Sequence, residues 1–114
     1  MPIRALGKCG GYTSDITDAI IWAAGGNVSG VPTNLNPAQV INLSLGGSGS
    51  CSQTYTAAIN SARANGATVV VAAGNSNINA SSAVPANCAG IISVAATGPT
   101  GAKAGYSNFG SVVD

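Results

Sequence analysis

The sequence predicts an α/β fold, a parallel β-sheet with flanking helices, and three observations predict it. Runs of β-branched and apolar residues alternate along the chain with segments whose apolar residues recur at helical spacing. The run Val69-Val70-Val71-Ala72-Ala73 is continuously apolar, as in a strand covered on both faces. The resulting order is strand, helix, strand, helix, strand, loop, strand, in which right-handed βαβ crossovers place helices against a parallel sheet.

Residues 3–6 are expected to form a short strand, followed by the turn Gly7-Lys8-Cys9-Gly10-Gly11. Ser14 or Thr13 is expected to cap a helix, with Asp15 and Asp18 in its first turns, where carboxylates favour the helix dipole. Ile16, Ala19, Ile20 and Ala23 give that helix one apolar face, and Gly25-Gly26 ends it. Residues 27–37 read as a polar loop, 40–45 as a strand and 46–50 as a turn. Ser52 or Thr54 opens a second helix carrying Tyr55, Ala58, Ile59 and Ala62, and Gly66 closes it. A strand over 68–73, a long Asn/Ser/Ala loop over 74–85 and a strand over 91–95 follow. The tail is a turn over 106–110 and an extended piece to residue 114.

Composition narrows the chemistry. At 114 residues a single domain with one modest core is expected. Charged residues are 6% of the chain, against about 25% in an average soluble domain, and the net charge is +1. Such a chain has no field to attract nucleic acid or an acidic membrane, so neither is expected as a partner. No run of about 18 apolar residues is present to span a bilayer. No signal peptide is visible, and residues 1–6 read like the middle of a domain, entered directly on a strand. Histidine is absent, which excludes an in-chain Ser-His-Asp triad, a Cys-His dyad or a His-ligated zinc. The three acids are all Asp, too few for a carboxylate-rich metal cluster.

In parallel α/β sheets ligands bind beyond the carboxyl ends of the strands. Two such ends run out into small residues and glycine: Asn42-Leu43-Ser44-Leu45-Gly46-Gly47 and Val70-Val71-Ala72-Ala73-Gly74-Asn75-Ser76. The plain reading is that these glycines only make turns. A nucleotide site is another, because 47–52 approximates G-x-G-x-x-G with Ser52 at its third place. The next strand, however, ends without the acid that would hold a ribose, and no G-K-[ST] occurs.

Taken together, Val40-Ile41-Asn42-Leu43-Ser44-Leu45-Gly46-Gly47, the helix ending at Gly66 and Val69-Val70-Val71-Ala72-Ala73-Gly74-Asn75 closely resemble the subtilisin-like serine proteases, the subtilases. Ile3-Arg4-Ala5-Leu6-Gly7 is similar to the strand after that family's histidine helix, and Ile20-Ile21-Trp22-Ala23 to the end of its next helix. Val84-Pro85-Ala86-Asn87-Cys88, continuing to Ala96, resembles the segment after the oxyanion loop. Ala104-Gly105-Tyr106-Ser107-Asn108-Phe109-Gly110 resembles its aromatic-Ser-Asn-aromatic-Gly turn. Essentially the whole chain is covered, and its cysteine-containing form is similar to secreted bacterial members.

The resemblance implies a partial three-layer α/β/α catalytic domain over 1–114, from a secreted parent. It implies that Asn75 is the oxyanion-hole asparagine, donating to the oxygen that turns negative as the scissile carbonyl becomes tetrahedral. Ser44, Leu45 and Gly46, with Gly47 beside them, match the edge that pairs with substrate backbone, and Gly10 and Gly11 fall near the opposite edge. Ala72, Ala73 and Gly74 match a wall of the pocket for the residue before the cleaved bond. Leu45 and Ile16 are expected to line a pocket three residues upstream of it.

The family's Asp, His and Ser segments have no counterpart here, so the chain alone is expected to be inactive; Asp15 and Asp18 lie on the wrong segment. The expected partners are a peptide or protein substrate in the full-length parent, and the remaining protease segments or a second copy for this chain. No cofactor is expected, with calcium left open for the full-length parent. A non-catalytic peptide-binding or self-associating α/β module is the competing reading. The resemblance also implies a Cys51–Cys88 disulfide, with the mate of Cys9 upstream in the parent. The sequons at Asn27, Asn42 and Asn79 are expected to be idle in a bacterial protein.

Overall fold

The computed structural model describes residues 1–114. The chain divides into two units, Met1–Ile41 with Ser52–Thr68, and Asn42–Cys51 with Val69–Asp114.

The first unit is built on two helices packed against each other, α1 (Thr13–Ala23) and α2 (Gln53–Ala64). Their shared core is the apolar face expected from the 3.6-residue period: Ile16, Ile20 and Ala23 on α1, Ala58, Ile59 and Ala62 on α2. Tyr12, not Thr13 or Ser14, stands at the N-cap of α1, and its side chain makes no cap hydrogen bond. Thr13 and Ser14 are already inside the first turn, where their carbonyls both accept from the buried Thr17 hydroxyl at 3.0 Å. In α2 the expected cap is in place, with Ser52 Oγ accepting from Tyr55 N at 3.3 Å. Burial pushes the pKa of the Tyr55 hydroxyl up, and a hydrogen bond with the Thr13 side chain partly opposes that.

The polar loop over 27–37 closes the end of α1. Buried Asn34 donates to Ala23 O at 3.2 Å and to Trp22 O at 3.3 Å, joining Ala38 N and Gly25 N on these last carbonyls of the helix. Trp22 Nε1 donates to Pro32 O at 2.7 Å and holds the loop to the helix. Residues 3–6 do not form the expected strand. A strand needs a neighbour to complete its hydrogen bonds, and the only pairing here is the bridge between Gly7 and Gly10, which closes the glycine turn.

The sheet has strands in the order β1 (Val40–Leu43), β3 (Thr68–Ala72), β5 (Ile92–Val94). Strands β3 and β5 run parallel, with Val70 opposite Ile92, Val71 opposite Ser93 and Ala72 opposite Val94. The observed burial of β3 corrects the expectation of cover on both faces. Val69 and Val71 are 0% exposed, but Val70 is only half-buried and Ala72 is exposed. Alternate side chains point to opposite faces, and the face carrying Val70, Ala72, Ile92 and Val94 is open to solvent.

A second, two-stranded sheet was not anticipated: β2 (Gly47–Ser48) pairs antiparallel with β4 (Ala83–Val84). It falls in what read as a turn and a loop. Gly49 N donates to Ser82 O at 3.0 Å and extends the pairing. Asn87 Nδ2 donates to Gly49 O at 2.8 Å and Ser81 O at 2.9 Å. The disulfide Cys51–Cys88 is formed beside this pair, with Cα atoms 5.1 Å apart, and Cys9 is free and exposed. No helix is long and apolar enough to cross a membrane.

Candidate functional site

Both strand ends singled out in the sequence lie on one cleft of the second unit. Past Leu43, β1 runs out through Ser44 and Leu45 into Gly46 and β2; past Ala72, β3 runs out through Ala73 and Gly74 to Asn75. The cleft between these ends has a volume of about 220 Å³. It brings together Ser44, Leu45, Gly46 and Gly47 with Ala72, Ala73, Gly74 and Asn75, and is completed by residues of the 76–86 segment and by Asn108. Gly46 is required by close approach, since a Cβ there would come 3.1 Å from the Val84 carbonyl oxygen.

Gly10, Gly11 and Ile16 lie in the first unit. Gly10 and Gly11 belong to the glycine turn, and a Cβ on Gly11 would overlap the Ala5 carbonyl. Ile16 is 7% exposed and lies on the buried face of α1.

The lining of the cleft carries no titratable side chain. Its chemistry is that of backbone groups, Ser hydroxyls, Asn amides and small apolar walls, which suits an extended peptide and includes no side chain that could serve as a general base. No three His, Cys, Asp or Glu side chains come together elsewhere. Within the segment 47–52 that approximates a nucleotide-binding pattern, Gly49 N donates to Ser82 O, and at the start of α2 Tyr55 N donates to Ser52 Oγ, so these two amides are engaged within the protein.

Sequence reasoning missed Asn108, which it treated as part of a turn. This residue is 2% exposed, and its amide ties the far strand end in place. Nδ2 donates to Ala73 O at 2.8 Å, and Oδ1 accepts from Ser76 N at 2.9 Å and Ile78 N at 3.2 Å. The complementary signal in the sequence is Gly74, whose φ is +108° and where a Cβ would overlap the Asn108 amide.

Comparison with known proteins gives a consistent picture. A sequence model described as the subtilase family, peptidase S8, matches residues 1–114. The chain is 64% identical over 114 residues to an "Extracellular protease" of Xanthomonas campestris pv. campestris, covering 100% of this chain and 20% of that protein. It is 53% identical over 113 residues to an "Extracellular basic protease" of Dichelobacter nodosus, covering 99% of this chain and 19% of that one. Among solved structures, a protease of Pseudoalteromonas arctica PAMC 21717 superposes with a TM-score of 0.98 at 61% identity, over 100% of this chain and 34% of its own. A cold adapted subtilisin-like serine proteinase superposes with a TM-score of 0.77 at 31% identity, over 96% of this chain and 37% of its own. The chain thus spans about a fifth of the length of these sequence relatives.

Proposed function

Because the chain belongs to the subtilase family, we propose that it is the substrate-binding and oxyanion segment of a secreted serine endopeptidase. The observation that carries this reading is the cleft that joins Ser44, Leu45 and Gly46 to Ala73, Gly74 and Asn75 at the ends of β1 and β3. A substrate backbone would lie along residues 44–46 as an added strand, held by main-chain hydrogen bonds. The side chain before the scissile bond would enter between small walls, Ala72, Ala73 and Gly74. The exposed Asn75 would then donate to the oxygen that gains charge in the transition state. A histidine base, and the serine it activates, would come from elsewhere in the full-length protein, since this chain holds no histidine. Secretion is supported by the names of the two relatives and by a disulfide that needs an oxidising compartment.

Two expected results test the reading. Prepared alone, the 114-residue chain should hydrolyse neither peptides nor esters above background, and should take no fluorophosphonate label. The full-length protein should take one label per chain at a serine outside this segment. A stoichiometric label within residues 1–114 would overturn the assignment. The open β3–β5 face, with Ile92 and Val94 exposed, should also drive the isolated chain to self-associate or to bind the remaining protease segments. Sedimentation as a dispersed monomer at high concentration, with no uptake of those segments, would refute that part.

A further inference from the structure

We propose that Asn108, backed by Lys103, is a positioning residue for catalysis, holding the loop around Asn75 so that the oxyanion donor is in place before the charge develops. This inference rests on the reading of Asn75 given above and extends it to Asn108, at the back of the same cleft, and to Lys103, which does not line it.

One buried side chain fixes the backbone on both sides of Asn75. Ahead of it, Asn108 Nδ2 donates to Ala73 O at 2.8 Å and the Asn108 backbone N–H donates to Gly74 O at 2.9 Å. Behind it, Asn108 Oδ1 accepts from Ser76 N and Ile78 N. Asn75 itself stays exposed at the cleft, so the loop is tied on both sides of it while its own amide is left to the ligand. Only a short primary amide offers a donor at one atom and a two-lone-pair acceptor at the other in this span. Aspartate would lose the donor, and an aliphatic residue would lose both. Glycine at 74 is the matching requirement, because any side chain there would collide with that amide.

Lys103 supplies the second clamp. Its ammonium donates to Asn77 Oδ1 at 2.8 Å, to Ser107 O at 3.0 Å and to Ala104 O at 3.1 Å, and lies 5.4 Å from the centre of the Phe109 ring. Asn77 sits at a φ of +53°, and its N–H donates to Tyr106 O at 2.9 Å. The 103–109 turn therefore grips the loop at residues 76, 77 and 78. A donor fixed in this way costs no reorganisation when the carbonyl oxygen becomes negative, and a donor on a loose loop does.

The test is a double-mutant cycle on the full-length enzyme. Asn108→Ala should lower kcat about 10-fold with KM within about twofold, because the loss falls on the transition state. In an Asn75→Ala background the same substitution should leave kcat within about twofold, since there is no donor left to position. A residue that only stabilises the fold would lower Tm in both backgrounds and show no such dependence on Asn75. Should Asn108→Ala fail to fold, the exposed Lys103→Met is read in the same cycle, with an expected loss of about threefold that vanishes in the Asn75→Ala background. Equal losses in both backgrounds, or an unchanged kcat in the folded variant, overturn the proposal while leaving Asn75 in place. An unchanged kcat for Asn75→Ala alone removes the reading on which it rests, and the proposal with it.

Discussion

In the full-length enzyme, Asn75→Ala is expected to lower kcat by about 10²–10³-fold while KM changes little, a magnitude taken over from the oxyanion asparagine of a subtilisin. The direction follows from the site. The carbonyl oxygen of a bound peptide carries little charge and gains little from one amide, whereas the tetrahedral oxygen is an anion, and the part of the cleft that this chain supplies holds no charged side chain to stabilise it. The hydrogen bond thus strengthens as the barrier is climbed, and its loss appears in kcat. If Asn75 merely capped its loop, removing it would lower stability by roughly 1 kcal/mol and leave turnover of the folded enzyme unchanged. Steady-state kinetics and a melting curve on the same preparation separate the two outcomes.

The second large effect is expected at the disulfide. Replacing Cys51 and Cys88 together with serine should lower the unfolding free energy by about 3–4 kcal/mol, since the bridge closes a loop of sequence separation 37 and restricts the unfolded chain. The change should also raise KM. Strands β2 and β4, which flank the bridge, supply Gly47, Ser48, Ala83 and Val84 to the cleft, and a two-residue ladder alone is marginal. Denaturant melts with and without reductant should show the loss in the native protein and no further loss in the double variant. A non-reducing peptide map should join Cys51 to Cys88 and leave Cys9 alkylatable or linked to another chain; a midpoint insensitive to reductant would refute the prediction.

Long periodic elements were legible because their patterns repeat. The apolar face of Ile16, Ile20 and Ala23, the Ser52 cap and the glycines after both helices are local signals within a turn or two of chain. Strands β3 and β5 were legible as β-branched runs. Residues 3–6 misled because β propensity does not say whether a neighbour exists to pair with. Strands β2 and β4 were invisible because two residues carry no period, and their pairing joins segments more than 30 residues apart. Tyr12 displaced the expected cap because the start of α1 is set by which amide first finds a carbonyl, Ile16 N to Tyr12 O at 3.2 Å, and not by side-chain preference alone.

The residues proposed to meet substrate were therefore written into the sequence itself: two strand ends dissolving into Ser-Leu-Gly-Gly and Ala-Ala-Gly-Asn, in an order that a parallel sheet brings side by side. Alternation, glycine placement and the absence of histidine settle fold class and the limits of the chemistry without coordinates. Tertiary structure alone decided what braces the second of those ends. Asn108 lies 33 residues beyond Asn75 in the chain, in a stretch with no regular helix or strand, and its side-chain partners are three backbone groups that reach it only after folding. A buried amide must satisfy its hydrogen bonds with whatever the fold delivers, and no local pattern encodes partners delivered from a distance.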